Sequence, residues 1–320
     1  MAMRNNERKW FLGVDGGQSS TIAVIGDQTG AILGVGKAGP CNHVAKSEAR
    51  ERFLGAIGGA VRAAQEMAGC TDVPFEAACL GFSGGPHDKD ALTREAIRAN
   101  HYLIVNDAHI ALTGALGGKP GVIAIAGTGS IAYGRNSFGM IARAGGWGYA
   151  FGDEGSAYDI VRQALRAILR FEEGWGSATA LREALLKATD THSANDLLHR
   201  FYTPDFPRAR VASYAPLVDQ AAREGDHVAR EILMTGAQTL ATYVAAVRRQ
   251  LFQRGETSAT SYIGGVFESS LFLERFRLIL ALEGDGMIHP PLYGPATGAL
   301  IEAYRIAGVH ELPTGPHTDL

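Results

Sequence analysis

Two glycine-rich turns follow apolar segments, one in each half of the chain. The first spans residues 15–19 with the sequence Asp-Gly-Gly-Gln-Ser, and the second spans residues 127–130 with the sequence Gly-Thr-Gly-Ser. Glycine permits positive φ angles and leaves backbone N–H groups accessible to a phosphate. Each turn alone is also typical of an ordinary β-hairpin. Because both occur, we favour two phosphate-binding turns that grip one polyphosphate.

Two carboxylate residues are at positions suited to a polyphosphate site. Asp15 opens the first turn, and Asp107 follows an apolar segment that ends at Asn106. Mg²⁺ in phosphoryl-transfer sites keeps several waters and takes only one or two carboxylates, so Asp15 is sufficient to hold it. Asp107 is suited to accept the proton of a substrate hydroxyl group, since phosphoryl transfer depends mainly on alignment and charge neutralisation. A helix N-cap is the alternative for Asp107.

The stretch 145–156 carries side chains suited to a sugar. Trp147 offers a flat apolar face to a sugar ring, and Asp153 offers two acceptors to its hydroxyl groups. Asp153 is equally suited to cap a helix that begins near Glu154, and one residue can do both.

The last motif is Gly264-Gly265, after a strand-like segment at 261–263. Its backbone can approach a ribose or a base closely, although a plain strand-to-helix turn also explains the two glycines. The sequence contains neither a GxxxxGK[ST] loop nor the VAIK and HRD motifs of protein kinases. Those two nucleotide-binding scaffolds are therefore disfavoured.

The elements that must position these motifs repeat in the two halves. Three strands open each half, which indicates a duplicated unit. A largely helical region at 154–253 follows in the second half, and the tail after the final helix is expected to be poorly ordered. The predicted strands are 10–15, 20–26, 32–36, 77–82, 102–105, 122–126, 130–135, 140–143 and 261–263, and the other helices are 47–67, 89–99, 108–116 and 297–306.

Length and composition limit the classes of protein and partner. A chain of 320 residues exceeds the size at which one hydrophobic core stops growing, which favours two domains with a cleft between them. A content of 46% hydrophobic and 20% charged residues predicts a folded protein. The net charge of −3 gives no long-range attraction to nucleic acid, so we expect a small-molecule partner. No apolar run approaches the length of a membrane span and no signal-peptide core is present, so we expect a cytoplasmic protein without a membrane partner.

The cysteines Cys41, Cys70 and Cys79 are odd in number and lack CxxC spacing. This pattern fits a reducing compartment without disulfides. Cys79 lies in a predicted strand, and Cys41 precedes Asn42. We expect both to be inert residues of a core.

Taken in order, the motifs resemble those of the N-acetylglucosamine kinase group, of the BadF/BadG/BcrA/BcrD type, in the sugar kinase, Hsp70 and actin superfamily. The resemblance spans nearly the whole chain. It implies an α/β fold of two ribonuclease-H-like (actin-like ATPase) domains, each with a mixed five-stranded sheet, that flank a nucleotide and sugar cleft. We place the domains at 1–118 and 119–320, the second with a helical insertion and a final helix able to pack across to the first.

The resemblance also implies an activity and the residues for it. The activity is an ATP-dependent amino-sugar kinase with Mg²⁺, acting on N-acetylglucosamine or a close relative, and a homodimer is compatible with the family. The catalytic carboxylate falls on Asp107 and the metal-binding one on Asp15. Nucleotide-binding positions are Gly16, Gly17, Gln18, Ser19, Thr128, Gly129, Ser130, Gly264, Gly265 and Glu268. Sugar-binding positions are Asn42, His43, Ser83, Gly84, Asp107, Gly146, Trp147, Asp153 and Ser156.

The chain departs from the family pattern in places. Gln18 and Ser19 stand where a third glycine and a threonine are usual, and Val44 stands where an aromatic residue is usual. The changes on the sugar side leave glucosamine, N-acetylmuramic acid and glucose open as substrates.

Two other readings within the superfamily are an ATPase activator of a CoA-ester reductase or dehydratase and a sugar-sensing regulator. The activator needs cysteine ligands for an iron–sulfur cluster, and neither 127–130 nor 264–269 contains a cysteine. The regulator usually carries a helix-turn-helix, and neither that motif nor a basic cluster is predicted. Both readings are therefore disfavoured.

Overall fold

The computed structural model describes residues 8–41, 49–84, 89–283 and 286–315, and they form two compact units. The first unit holds the described residues up to Lys119 together with those from Pro291 onward, and the second holds Pro120–Pro290. The helix of the segment from Pro291 onward packs on the first sheet. Along the described residues, no helix combines the length and the apolar character needed to cross a membrane.

The elements follow one another as two mixed α/β units. The first part of the chain contains β1 (Trp10–Gly16), β2 (Thr21–Asp27), β3 (Ile32–Ala38), α1 (Ala49–Ala68), β4 (Phe75–Phe82), α2 (Asp90–Ala96), β5 (Ala99–Asn106) and α3 (Asp107–Leu116). The remainder contains β6 (Gly121–Ala126), β7 (Ser130–Arg135), β8 (Ile141–Gly145), α4 (Ala157–Glu172), α5 (Leu181–Thr189), α6 (Ala194–Phe201), α7 (Arg208–Ala212), α8 (Ala215–Arg223), α9 (His227–Leu251), β9 (Ser258–Ile263), a 3₁₀ turn (Gly265–Glu268), α10 (Ser270–Leu282), β10 (Gly286–His289) and α11 (Pro295–Ile306).

The two sheets share one topology. Their strand orders are β3-β2-β1-β4-β5 and β8-β7-β6-β9-β10. In each sheet the middle strand, β1 or β6, pairs antiparallel with the next strand in sequence and parallel with a later one. The predicted fold of two mixed five-stranded sheets is confirmed, and the shared order agrees with a duplicated unit.

The core of the first unit lies on both faces of its sheet. Because successive strand residues point to opposite faces, Leu12 packs on the side covered by α1, and Phe11 packs on the side covered by α3 and α11. The contact between these two helices is very close: a Cβ at Gly298 would lie 2.0 Å from the carbonyl oxygen of Ile110. Glycine is therefore required at that crossing.

The second unit has its largest core where helices cover its sheet. The long helix α9 packs on β6, β7 and β8, and α4, α8 and α10 pack on α9. The region predicted as largely helical thus folds as one body attached to the sheet.

Two features differ from the sequence prediction. The predicted last strand, at 261–263, is followed by β10, whose four residues are too few to display an alternating pattern. The tail after α11, which was expected to be poorly ordered, is bound to the first unit and is described as far as Gly315. The N–H of Thr314 donates to the carbonyl oxygen of Gly30 (2.8 Å), and the N–H of Ile32 donates to that of Thr314 (2.8 Å).

Candidate active site

The first unit gathers its polar residues at one edge of the sheet. The strands β1, β4 and β5 run parallel, with Asp15 opposite Gly81 and Phe82 opposite Asn106. Asp15, Ser83 and Asp107 thus lie at or just beyond the carboxyl ends of three neighbouring strands. This is the edge at which open α/β sheets place ligands.

Asp107 is held in place by two hydrogen bonds. Its Oδ2 accepts from the Ser83 hydroxyl group (2.7 Å), and its Oδ1 accepts from the N–H of Ala108 (2.9 Å). The N-cap of α3 is Asn106, whose side chain accepts from the N–H of His109 (2.8 Å). The capping alternative for Asp107 is therefore wrong. Each carboxylate oxygen has two acceptor sites, so the half-buried group retains capacity for a substrate hydroxyl.

Lys89 is a neighbour that the sequence did not indicate. Its ammonium group donates to the carbonyl oxygen of Ser83 (2.9 Å) and lies 4.9 Å from the centre of the Phe82 ring. These contacts hold Lys89 against the end of β4, after which Gly84 has a φ of +82°.

The first glycine turn closes a hairpin. The N–H of Gly17 donates to the carbonyl oxygen of Ser20 (3.0 Å), and Gln18 and Ser19 are exposed at the tip. A Cβ at Gly16 would lie 2.4 Å from the Phe82 ring, so a side chain there is excluded.

A buried thiol lies beneath this turn. The Sγ atom of Cys41 is 3.9 Å from the carbonyl oxygen of Gly17. Burial raises the pKa of the Cys41 thiol, so it stays protonated near neutral pH, and the same is true of Cys70 and Cys79. All three cysteines are buried and free, which is consistent with the inert role that the sequence suggested for Cys41 and Cys79.

The second glycine turn joins β6 to β7. The N–H of Gly127 donates to the carbonyl oxygen of Gly129 (3.0 Å), and the Ser130 hydroxyl donates to the carbonyl oxygen of Glu154 (2.7 Å). Arg208 donates from Nη2 to the carbonyl oxygen of Thr128 (3.1 Å). The turn is thus fixed on both sides.

Asp153 lies beneath the second turn and is 4% exposed. It forms an ion pair with Arg208 and has a φ of +62°, which is unusual for a residue other than glycine. It does not cap α4, because that role belongs to Ser156, whose hydroxyl accepts from the N–H of Asp159 (3.2 Å). Ser156 is fully buried.

Arg208 was missed by the sequence reasoning. It lies 55 residues beyond Asp153, its partner in the ion pair, in a helical segment without a recognisable motif. No local pattern could have identified it.

Trp147 has the exposure expected of a sugar-contacting residue. It is 65% exposed, and the Arg143 guanidinium carbon lies 4.4 Å from the centre of its ring. Gly145, Gly146 and Gly148 all have positive φ angles near it, so this loop depends on glycine for its conformation.

The second unit contains a cavity of about 510 Å³. Gly127 and Thr128 line it from the second turn, and Gly265 and Glu268 line it from the last motif. The volume falls within the range of small-molecule sites. Its apolar walls suit a planar ring, and they include Ala157, Ile160, Ala212, Pro216, Leu233 and Val266.

Gly264 connects the two motifs of the cavity. It has a φ of +114°, and a Cβ there would lie 2.4 Å from the carbonyl oxygen of Ala126. The strand ends of β6 and β9 therefore meet without an intervening side chain.

The structure brings the predicted residues together in two groups. Asp15, Gly16, Ser83 and Asp107 lie along one edge of the first sheet, while the residues of the second turn and of the last motif lie around the cavity of the second unit. The predicted sugar-binding residues Asn42 and His43 lie outside the described residues.

Comparisons with known proteins identify relatives over most of the chain. A model of the BadF/BadG/BcrA/BcrD ATPase family matches residues 12–303. The N-acetylmuramic acid/N-acetylglucosamine kinase of Clostridium acetobutylicum is 34% identical over 283 residues, covering 86% of this chain and 91% of that protein. The N-acetyl-D-glucosamine kinase of Dictyostelium discoideum is 32% identical over 273 residues, covering 81% and 85%. The solved structure of a candidate N-acetylglucosamine kinase from Chromobacterium violaceum is similar with a TM-score of 0.74 at 26% identity, covering 92% and 98%.

Proposed function

Because the chain belongs to the BadF/BadG/BcrA/BcrD ATPase family, we propose that it is an ATP-dependent kinase for N-acetylglucosamine or a closely related amino sugar. The reaction is transfer of the γ-phosphoryl group of ATP to a hydroxyl group of the sugar. The observation that carries the proposal is the cavity of the second unit, because it joins a phosphate-type glycine turn to a second glycine motif around apolar walls.

The second unit binds the nucleotide in this proposal. Adenine lies against the apolar walls, and backbone N–H groups of the second turn donate to phosphate oxygens, apart from that of Gly127, which already donates to Gly129. These donors stabilise negative charge without having to reorganise during the transfer.

Asp107 orients the sugar hydroxyl group. Its Oδ atoms are held by Ser83 and by the N–H of Ala108, so the carboxylate is aligned before the sugar arrives. It accepts the hydroxyl proton as the oxygen attacks phosphorus. Trp147 offers its exposed face to the apolar side of the ring.

Asp15 is the residue proposed to hold Mg²⁺. Across the described ranges, no group of three or more His, Cys, Asp or Glu residues is arranged to hold a metal. A single carboxylate at a glycine turn fits Mg²⁺, which takes most of its ligands from water and phosphate. When bound, the ion neutralises phosphate charge.

The acceptor is an amino sugar in this proposal, with N-acetylglucosamine first. The Clostridium relative carries both N-acetylmuramic acid and N-acetylglucosamine in its name, so a muramic acid derivative is a close second. The activator alternative is disfavoured, because the three cysteines are buried and none lies in either motif that lines the cavity. The protein is expected to act in the cytoplasm, as a monomer or homodimer, without nucleic acid or membrane.

A kinase assay with product identification tests the proposal. ATP consumption and product mass are measured with Mg²⁺ for glucose, glucosamine, N-acetylglucosamine and N-acetylmuramic acid. We expect a phosphorylated amino sugar that disappears in Asp107→Asn. ATP hydrolysis without any phosphosugar would contradict the proposal and would favour a partner-driven ATPase.

A further inference from the structure

Arg208, the first residue of α7, joins two functional parts of the second unit. Its Nη2 atom donates to the carbonyl oxygen of Thr128 (3.1 Å) and also pairs with the Asp153 carboxylate. Thr128 lines the cavity, whereas Asp153 is assigned to the sugar by the family resemblance. A single nitrogen atom therefore links the nucleotide side to the proposed sugar ligand.

The Arg208 side chain is closely packed on both sides. The rings of Tyr149 and Tyr158 lie 5.5 and 5.8 Å from its guanidinium carbon. A Cβ at Gly129 would lie 2.7 Å from Nη2 and 3.1 Å from Asp153. A displacement of the turn must therefore move the guanidinium group and, with it, the carboxylate.

The same side chain has an unused donor. The Nε atom of Arg208 is buried and has no hydrogen-bond partner within the described part of the chain. A buried donor without a partner costs free energy, so the Arg208 side chain is not fully satisfied by its contacts within the described residues. The next residue, Ala209, lines the cavity, so α7 reaches both the ion pair and the nucleotide pocket.

We infer that Arg208 couples the binding of the two substrates. Phosphate at the second turn fixes Arg208, and Arg208 fixes Asp153 in the orientation that receives the sugar. The coupling is reciprocal, so the sugar tightens ATP binding by the same factor. Arg208 is a positioning residue here, because it acts through Thr128 and Asp153. The inference rests on the proposed function, and it takes Asp153 as the sugar ligand that the family resemblance implies.

Calorimetric titration of N-acetylglucosamine tests the coupling. The Kd of the sugar is measured without nucleotide and with saturating AMPPNP and Mg²⁺. We expect the analogue to tighten sugar binding about tenfold in the wild-type protein, and Arg208→Met to reduce that ratio below about twofold. Arg210→Met is the matched control. Arg210 is on the same helix but bonds to the carbonyl oxygen of Asp205 (2.9 Å), so its removal should leave the ratio unchanged.

The outcomes separate the two proposals. A wild-type ratio near one, or an unchanged ratio in Arg208→Met, would overturn the coupling while leaving kinase activity in place. If circular dichroism shows that Arg208→Met does not fold, Arg208→Lys replaces it. Lysine keeps the charge but lacks the planar fork, so it should retain stability and still lose most of the ratio. A wild-type protein that phosphorylates no amino sugar would overturn the proposed function, and the coupling with it.

Discussion

The two units build different sites on one strand order. In the first unit, the carboxyl edge of the sheet bears Asp15 and Asp107, and its flanking helices α3 and α11 meet at backbone contact. In the second unit, the equivalent strands end at glycine turns, and four of the six helices between β8 and β9, namely α4, α7, α8 and α9, help to enclose a cavity of about 510 Å³. The same topology thus presents carboxylates at a sheet edge in one unit and a cavity in the other.

This difference leads to separate expectations for the two units. Substitutions at the edge of the first sheet should change turnover, whereas substitutions around the cavity should change nucleotide affinity. This division would be wrong if a substitution in the first unit changed nucleotide affinity, or if one around the cavity changed turnover alone.

Asp107→Asn should have the largest effect. Asparagine keeps the size of the side chain but cannot accept the hydroxyl proton, so kcat should fall about 10²- to 10⁴-fold while the KM for ATP stays within about threefold. Steady-state kinetics measures both. Asp90→Asn is the control, because Asp90 is exposed in the same unit and pairs only with Arg94 among its described contacts. A variant that kept most of its turnover would remove Asp107 from the mechanism.

Gly298→Ala should have the next largest effect. Its methyl group would meet the Ile110 carbonyl oxygen at 2.0 Å, so the free energy of unfolding should fall by about 3 kcal/mol or more. Gly55→Ala is the matched control. Gly55 lies in α1, where an added Cβ would meet no atom of another described part of the chain within 4 Å, and alanine should stabilise the helix by about 0.5–1 kcal/mol. Denaturant unfolding measures both changes. Equal effects would mean that α3 and α11 do not pack this closely.

Gly127→Ala tests the proposed nucleotide site of the second unit. No atom of the described residues lies within 4 Å of an added Cβ, so folding should be unaffected, but the methyl group enters space proposed for the nucleotide. The KM for ATP should rise about tenfold, equivalent to about 1.4 kcal/mol.

Gly134→Ala, in the same sheet, should have the opposite pattern of effects, with a change in stability and none in ATP affinity. Its methyl group would lie 2.7 Å from Val247, so it should lower the melting temperature without changing the KM for ATP. Normal ATP binding by Gly127→Ala would show that the turn does not meet the nucleotide.

Asp226→Asn should have the smallest effect. Burial alone would raise the pKa of Asp226, but hydrogen bonds from the N–H groups of Ala229 and Ala180 and from the Thr179 hydroxyl lower it overall. A lowered folded-state pKa gives stability above the unfolded value of about 3.9, and this stability is lost as the pH falls through the folded value.

The melting temperature at pH 6 and pH 3 measures this contribution. The loss on acidification should be smaller in Asp226→Asn than in the wild-type protein. Glu231→Gln is the control, because Glu231 is exposed in α9, the helix that Asp226 caps. Its melting temperature should fall on acidification by as much as that of the wild type. A variant as acid-sensitive as the wild type would exclude the contribution.

Local signals predicted the features that local structure determines. Glycine turns after apolar strands were correctly placed around residues 16 and 127, and the three strands that open each half predicted a duplicated unit. The five-stranded sheets themselves were implied by the family resemblance. The N-cap of α3 was harder to predict, because asparagine and aspartate are both favourable N-cap residues. Only the backbone geometry shows that Asn106, and not Asp107, has this role.

Long-range contacts were not predictable in the same way. The ion pair of Arg208 joins positions 55 residues apart, and neither residue type nor spacing marks the partner. The strand β10 and the attachment of Thr314 depend on edges already formed by other segments, so their own sequences contain little signal. Tertiary pairing decides such elements.

The return of the chain to the first unit has a consequence for its synthesis. α11 packs on β1 so closely that a Cβ at Gly13 would lie 2.2 Å from the backbone nitrogen of Leu300. On the ribosome this helix emerges only after all of Pro120–Pro290 has been made. Because domains generally fold as units during translation, the second unit can complete its core first. The N-terminal strands cannot complete theirs until a helix nearly three hundred residues downstream has been synthesised.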